Sequence, residues 1–241
     1  MAQSAYGKVN LYWNGAGCNI PVADTGRTGA SVGPFALKGS LPETDCGLVT
    51  IAKTGGWARL TGTNENGYGA ALGVNVGFSP VLNGPLAFEV RLEEQVLTAR
   101  SLFVGFCTAF AEDTVEPLTS TGTTYTPVAA GYAGFWFDSQ LTANTSWHMP
   151  YYGGTTACST TSTATIGATI TAAETQVVRV EIDPNGTVRW YLDGDLKQTV
   201  ENAVSTTTLL AAFVGTFGTT TTVSDVDLNY VAFEGNINWT V

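Results

Sequence analysis

Residues 177–200 read VVRVEIDPNGTVRWYLDGDLKQTV, and they decide the class of fold. Val178, Val180 and Ile182 alternate with Arg179 and Glu181, a period of two that sends successive side chains to opposite faces of a strand. Asp183-Pro184-Asn185-Gly186 then reads as a tight turn. Proline presets one φ, and Asn-Gly tolerates the positive φ that a hairpin requires. Val188, Trp190 and Leu192 resume the alternation with Arg189 and Tyr191. Asp193-Gly194 supplies a second turn, and residues 195–200 lead back. The stretch is an antiparallel meander with one apolar face.

The same grammar continues on both sides. Residues 48–52 and 57–61 flank Thr54-Gly55-Gly56, a hairpin signal. Residues 70–77 and 86–94 are further strands; in the second, Phe88, Val90 and Leu92 face one way while Glu89, Arg91 and Glu93 face the other. SLFVGFCTAF (101–110) is apolar on both faces, as expected of a strand covered from both sides. In GYAGFWFD (131–138), Phe135 and Phe137 oppose Trp136. Strands are also expected over 209–217 and 226–233, with Val226, Leu228, Tyr230 and Ala232 on one face. Residues 111–129 read as a long polar loop, 147–152 as a strand or wide loop, and 157–171 as a Thr/Ser-rich stretch. No helical period interrupts this series. The prediction is an all-β, two-sheet antiparallel sandwich or jelly roll over residues 48–241. Residues 1–47, punctuated by Gly and Pro, read as an extended N-terminal arm with one short strand near Val9 to Trp13.

Composition narrows the partners. The 241 residues carry a formal charge of −10 and few charged side chains. Binding to nucleic acid draws on clustered Lys and Arg, and the sequence has no such run, so neither nucleic acid nor an anionic membrane is an expected partner. No apolar run approaches the roughly 20 residues of a spanning helix. The start MAQSAYGKVNLYWNGAG has no apolar stretch behind a basic opening, and synthesis in a cytoplasm is the expectation. Cys18, Cys46, Cys107 and Cys158 are widely spaced and read as reduced thiols; a Cys18–Cys46 bridge is an open alternative.

VRVEIDPNGTVRWYLDG resembles the strand-turn-strand signature of concanavalin-like jelly rolls, the laminin-G and legume-lectin-like sandwiches. Gly56-Trp57-Ala58-Arg59-Leu60, Leu86-Ala87-Phe88-Glu89-Val90-Arg91-Leu92, Phe103-Val104-Gly105-Phe106 and Ala133-Gly134-Phe135-Trp136-Phe137-Asp138 add to it. Together with the acidic, Thr- and Gly-rich style, they are similar to tailed-bacteriophage virion proteins built on this fold. What that resemblance implies is a non-enzymatic structural protein decorating or cementing a capsid surface, made in the host cytoplasm. Its partners would be the capsid protein and copies of itself. Tyr6, Leu11, Tyr12 and Trp13 would then be the gripping residues of the arm.

The alternative function is a carbohydrate-binding module, lectin-like and suited to host attachment. Aromatic rings stack on sugar faces while a few polar groups set orientation. Trp147, Tyr151 and Tyr152, beside polar loops, are the candidate glycan contacts, whereas Trp57, Trp136 and Trp190 read as core. A glycoside hydrolase is the second alternative, and it needs a pair of carboxylates flanking the scissile bond. Glu181 with Asp183, and Asp225 with Asp227, are the nearest matches, but no third acid follows either pair. His148 is the single histidine and lies among large apolar neighbours, which suits packing better than catalysis. No cofactor is expected, apart from calcium through Asp113, Asp138 and Asn144, whose spacing does not define a site.

Overall fold

The computed structural model describes residues 6–16, 31–39, 46–112, 116–161 and 168–238. In chain order the strands are β1 (Tyr6–Asn14), β2 (Ser31–Val32), β3 (Phe35–Gly39), β4 (Gly47–Ile51), β5 (Trp57–Thr61), β6 (Gly69–Phe78), β7 (Leu86–Glu93), β8 (Arg100–Cys107), β9 (Leu118–Ser120), β10 (Tyr125–Pro127), β11 (Tyr132–Asp138), β12 (Tyr151–Tyr152), β13 (Thr175–Ile182), β14 (Val188–Leu192), β15 (Asp195–Val200), β16 (Leu210–Gly218) and β17 (Asp225–Asn238). One helical turn, α1 (Pro80–Asn83), links β6 to β7.

Two antiparallel sheets face each other. The first runs β15-β14-β13-β7-β17-β5-β4, with β1 also on β17; the second runs β12-β11-β8-β16-β6-β3-β2. The meander forms as read: β13 pairs β14, with Val178 opposite Leu192 and Ile182 opposite Val188. Its turns use the expected backbone, with Gly186 at φ 80° and Asp193-Gly194 at 54° and 86°. Asp193 is a non-glycine residue that reaches this region readily because its short polar side chain can satisfy nearby backbone; its Oδ1 accepts from Val177 N at 2.8 Å.

Side chains from both inner faces fill the core. Val178, Val180, Ile182, Val188, Trp190, Phe88, Val90, Leu102, Val104, Phe106, Phe135 and Phe137 are all fully buried in one cluster. Trp190 also ties the layers together: from the first sheet its Nε1 donates to the carbonyl of Gly134 in the second at 2.9 Å. A buried indole thus contributes apolar area and still satisfies its polar edge.

Three expectations are corrected. The N-terminal segment is not an arm among the described residues. β1 pairs with β17 from Tyr6↔Asn238 to Asn14↔Tyr230, and β2 and β3 extend the second sheet. Val9, Leu11 and Trp13 alternate with Lys8, Asn10 and Tyr12, and the long last strand offers β1 a flank that β5 leaves free. Residues 111–129 are not simply a polar loop. β9 and β10 form a hairpin whose Leu118 and Tyr125 join Phe103, Trp136, Phe213 and Phe217 in a second cluster on the outer side of the second sheet. In β17, a register shift between Leu228 and Tyr230 turns Tyr230 and Ala232 outward and brings Val231 and Phe233 inward, because one extra residue reverses every later side chain.

The outer face of the first sheet carries charge instead. Asp227 accepts from Arg59 Nε at 2.7 Å and from Gln95 Nε2 at 3.0 Å. Arg179 joins Glu181 at 2.8 Å and Glu89 at 3.2 Å, as the alternating acids and bases of these strands suggest. Asn229, at the bulge, donates to the carbonyls of Gly55 and Gly56 at 3.0 and 2.7 Å, while Gly15 N donates to its backbone oxygen at 2.9 Å. It thereby joins β1, the β4–β5 turn and β17.

Candidate functional site

The short hairpin edge of the second sheet builds a pocket. Tyr132 lies opposite Tyr152 and Ala133 opposite Tyr151, so the paired residues share faces. On one face the Tyr132 and Tyr152 rings lie 6.0 Å apart, 27° from parallel. On the other, Tyr151 tilts over Trp190 at 6.0 Å, and its hydroxyl donates to Ala157 O at 3.0 Å. Tyr125 comes from β10, edge-on to Trp136 at 5.5 Å, with its hydroxyl bonded to Ser159 O and 3.2 Å from Cys158 Sγ.

The loop after β12 completes the wall. The cavity measures about 390 Å³ and is lined by Tyr125, Tyr132, Tyr151 and Tyr152 together with Gly153, Gly154 and the threonines 155, 156 and 160. Gly153 has φ +98°, a conformation that glycine adopts at little cost. Gly154 packs so closely on the next loop that a Cβ there would lie 2.0 Å from Asn202 O. Thr156 clamps the same loop, donating from N to Asn202 O at 3.2 Å and from Oγ1 to Glu201 O at 2.6 Å. The wall is therefore preformed.

No charged side chain is among the described residues lining this cavity. Burial pushes the Tyr125 and Tyr132 phenols well above their ordinary value; beside Tyr125 the Cys158 thiol adds to the effect. Both stay neutral hydroxyls near pH 7. Tyr152 is the ring open to a ligand, at 47 % exposure.

Of the residues singled out as glycan contacts, the structure brings Tyr151 and Tyr152 to one pocket. Trp147 is elsewhere: it is fully buried, edge-on to Phe135 at 5.8 Å, and donates to Gln176 Oε1 at 2.9 Å. Tyr125 and Tyr132 were missed because they are distant in sequence; the pairing of β11 with β12 brings in Tyr132, and the β9–β10 hairpin, packed on Trp136 with Tyr125 N donating to Thr160 O at 3.0 Å, brings in Tyr125. Of the proposed arm residues, Trp13 is core, Leu11 is partly buried against it, and Tyr12 is exposed beside Tyr230 at 5.8 Å. Tyr6 opposite Asn238 closes the β1–β17 ladder.

None of the carboxylates weighed for hydrolysis is among the described residues lining the pocket. Asp183 grips Arg189 through both oxygens, one contact at 2.9 Å, and Glu181 and Asp227 are bound to arginines as above. Asp225 pairs with Arg100, which also holds Glu94 at 2.8 Å in the interior. Glu116 is enclosed beneath the β9–β10 hairpin, accepting from Ser101 Oγ and, at 3.1 Å, from Trp136 Nε1. Burial, reinforced by nearby Asp138, pushes Glu116 up to about 8. His148 is 2 % exposed, and burial holds its pKa below the ordinary value. The residues weighed for calcium do not assemble: Asp138 is buried with its Oδ1 accepting from Gln140 N at 2.8 Å, Asn144 is exposed, and Asp113 lies outside the described residues. Cys18 does too, which leaves its pairing with Cys46 outside the described residues.

No protein-family model matches the chain, and no curated protein matches it. Solved structures do. A protein of unknown function from Shewanella oneidensis MR-1 superposes with a TM-score of 0.59 at 8 % identity, covering 97 % of this chain and 89 % of that one. The β-glucanase of Bacillus licheniformis gives 0.50 at 14 %, covering 93 % and 97 %. The carbohydrate recognition domain of Emp46p in its potassium-bound form gives 0.50 at 9 %, covering 86 % and 90 %. The chain has the concanavalin-like jelly-roll fold, shared by lectins and by glucan-cleaving enzymes.

Proposed function

We propose that this protein is a carbohydrate-binding module that recognises sugar without cleaving it. One observation carries the reading: a preformed pocket of about 390 Å³ walled by tyrosines and threonine-rich loop backbone. Rings supply flat apolar surface for a pyranose face, and hydroxyls and peptide groups orient its edges. Binding without cleavage is favoured because the carboxylates weighed for hydrolysis are held by arginines on the other sheet. A virion scaffold is less favoured, since the described strands of the segment that would have gripped a shell, Tyr6–Asn14, Ser31–Val32 and Phe35–Gly39, pair into the two sheets.

A glycan array with the wild-type protein and Tyr152→Ala tests it. Tyr152 is half exposed, so its truncation should leave the fold intact. Saturable binding that weakens about tenfold or more in the variant is the expected result. Binding that the substitution leaves unchanged would remove the pocket from the proposal.

A further inference from the structure

The Gly153-Gly154-Thr155 turn borders a second hollow as well. That hollow measures about 330 Å³ and is lined by the same three residues with Asn202, Val204, Ser205 and Thr206. The turn is thus a saddle between two depressions. Its crest carries two glycines and, as its one side chain, Thr155, and it is pinned by the contacts of Gly154 and Thr156 with the loop at 201–203. A chain of sugar rings could cross such a crest over the two glycines, with Thr155 the one side chain beside it. Ser205 and Thr206 supply further hydroxyls on the far side.

Charge restricts the ligand. Neither hollow is lined by a charged side chain among the described residues, and the chain carries a net charge of −10. An anionic sugar would meet no cation here and would be repelled at long range. We propose that the two hollows form one continuous site for an uncharged oligosaccharide, with one sugar against the tyrosines and the next across the Gly153–Gly154 saddle beside Ser205. This rests on the carbohydrate-binding reading and extends it to a ligand class and a minimum length.

The test is calorimetric titration of the full chain with neutral gluco-, manno- and galacto-oligosaccharides, each from monosaccharide to tetrasaccharide, and with oligogalacturonates. It uses wild type, Tyr152→Ala and Ser205→Tyr, the last intended to fill the second hollow. Expected is an affinity gain of about tenfold from the mono- to the disaccharide of one neutral series. Ser205→Tyr should abolish that gain while leaving the monosaccharide unchanged. Equal affinity at every length, indifferent to Ser205→Tyr but lost in Tyr152→Ala, would overturn the two-hollow site and leave the tyrosine pocket standing. Preference for oligogalacturonates would overturn the uncharged class. No binding by any probe would overturn both readings.

Discussion

Replacing Glu116 by Gln should make the protein's stability less dependent on pH. The carboxyl is fully enclosed and accepts two hydrogen bonds at one oxygen, from Ser101 and from Trp136. Burial first and Asp138 second raise it from 4.5 to about 8 in the folded protein. The folded state therefore holds a proton that the unfolded chain releases near 4.5. Folding carries no penalty from this group below that value, and the penalty grows as pH rises until it is complete above about 8. At roughly 1.4 kcal/mol per pH unit, the full penalty is on the order of 5 kcal/mol. Glutamine keeps an acceptor oxygen for both donors and cannot ionise. Its extra N–H, left without an acceptor, costs about 1–3 kcal/mol at every pH. The buried Glu94, also raised to about 8, is present in both proteins and cancels in the comparison. Urea unfolding followed by tryptophan fluorescence, at intervals from pH 5 to pH 8.5, measures the difference. The variant should be weaker than wild type by up to about 2 kcal/mol at pH 5 and stronger by about 2–4 kcal/mol at pH 8.5. A difference that stays constant across this range would refute the assignment of Glu116 as a buried acid that is neutral in the fold.

Four further outcomes follow from the packing. Deleting residues 1–14 removes β1 and the fully buried Trp13; the truncated chain should show no cooperative thermal transition, whereas a detachable arm would leave the melting temperature unchanged. Trp190→Phe takes the indole N–H from Gly134 O inside the core, and chemical denaturation should register a loss of about 1–3 kcal/mol. Gly154→Ala must push the 153–156 and 201–204 loops apart, so saccharide affinity should fall more than global stability, as calorimetry and melting curves read together would reveal. Asp227→Asn weakens the contacts to Arg59 and Lys53 on a nearly buried carboxylate; urea curves should shift by about 1–3 kcal/mol, with little effect on the pocket at the other sheet.

The alternation of Val178, Val180 and Ile182, and of Phe88, Val90 and Leu92, made the strands and their inner faces legible, because burial on one side imprints a period of two. The slip in β17 was not legible. A bulge is set by what the neighbouring strand needs, and nothing in Leu228-Asn229-Tyr230 announces the extra residue. β1 could have been read as a full strand from Val9, Leu11 and Trp13, had the glycines and prolines after it weighed less. β9 and β10 are three residues each, too short for a period to show. Tyr151 and Tyr152 were legible as aromatics beside polar loops. Trp147 looked the same in sequence, yet its partner Gln176 lies 29 positions away, and only the fold turns its ring inward. Tyr132 enters the pocket by strand pairing and Tyr125 by the packing of the β9–β10 hairpin on Trp136, relations that local sequence does not carry.

The second sheet ends in β12 on one side and β2 on the other, each two residues long. So brief a margin leaves few backbone groups on which a neighbouring chain could zip. On the first sheet, the outer strand β15 is thrown out of step by the irregularity at Trp190/Tyr191 and bears Asp195 and Lys197. Copies crowded together should consequently find little purchase at the second sheet or along β15; among the described residues the longer free margins are β1 and β4 of the first sheet, nine and five residues, and any ribbon would have to start there.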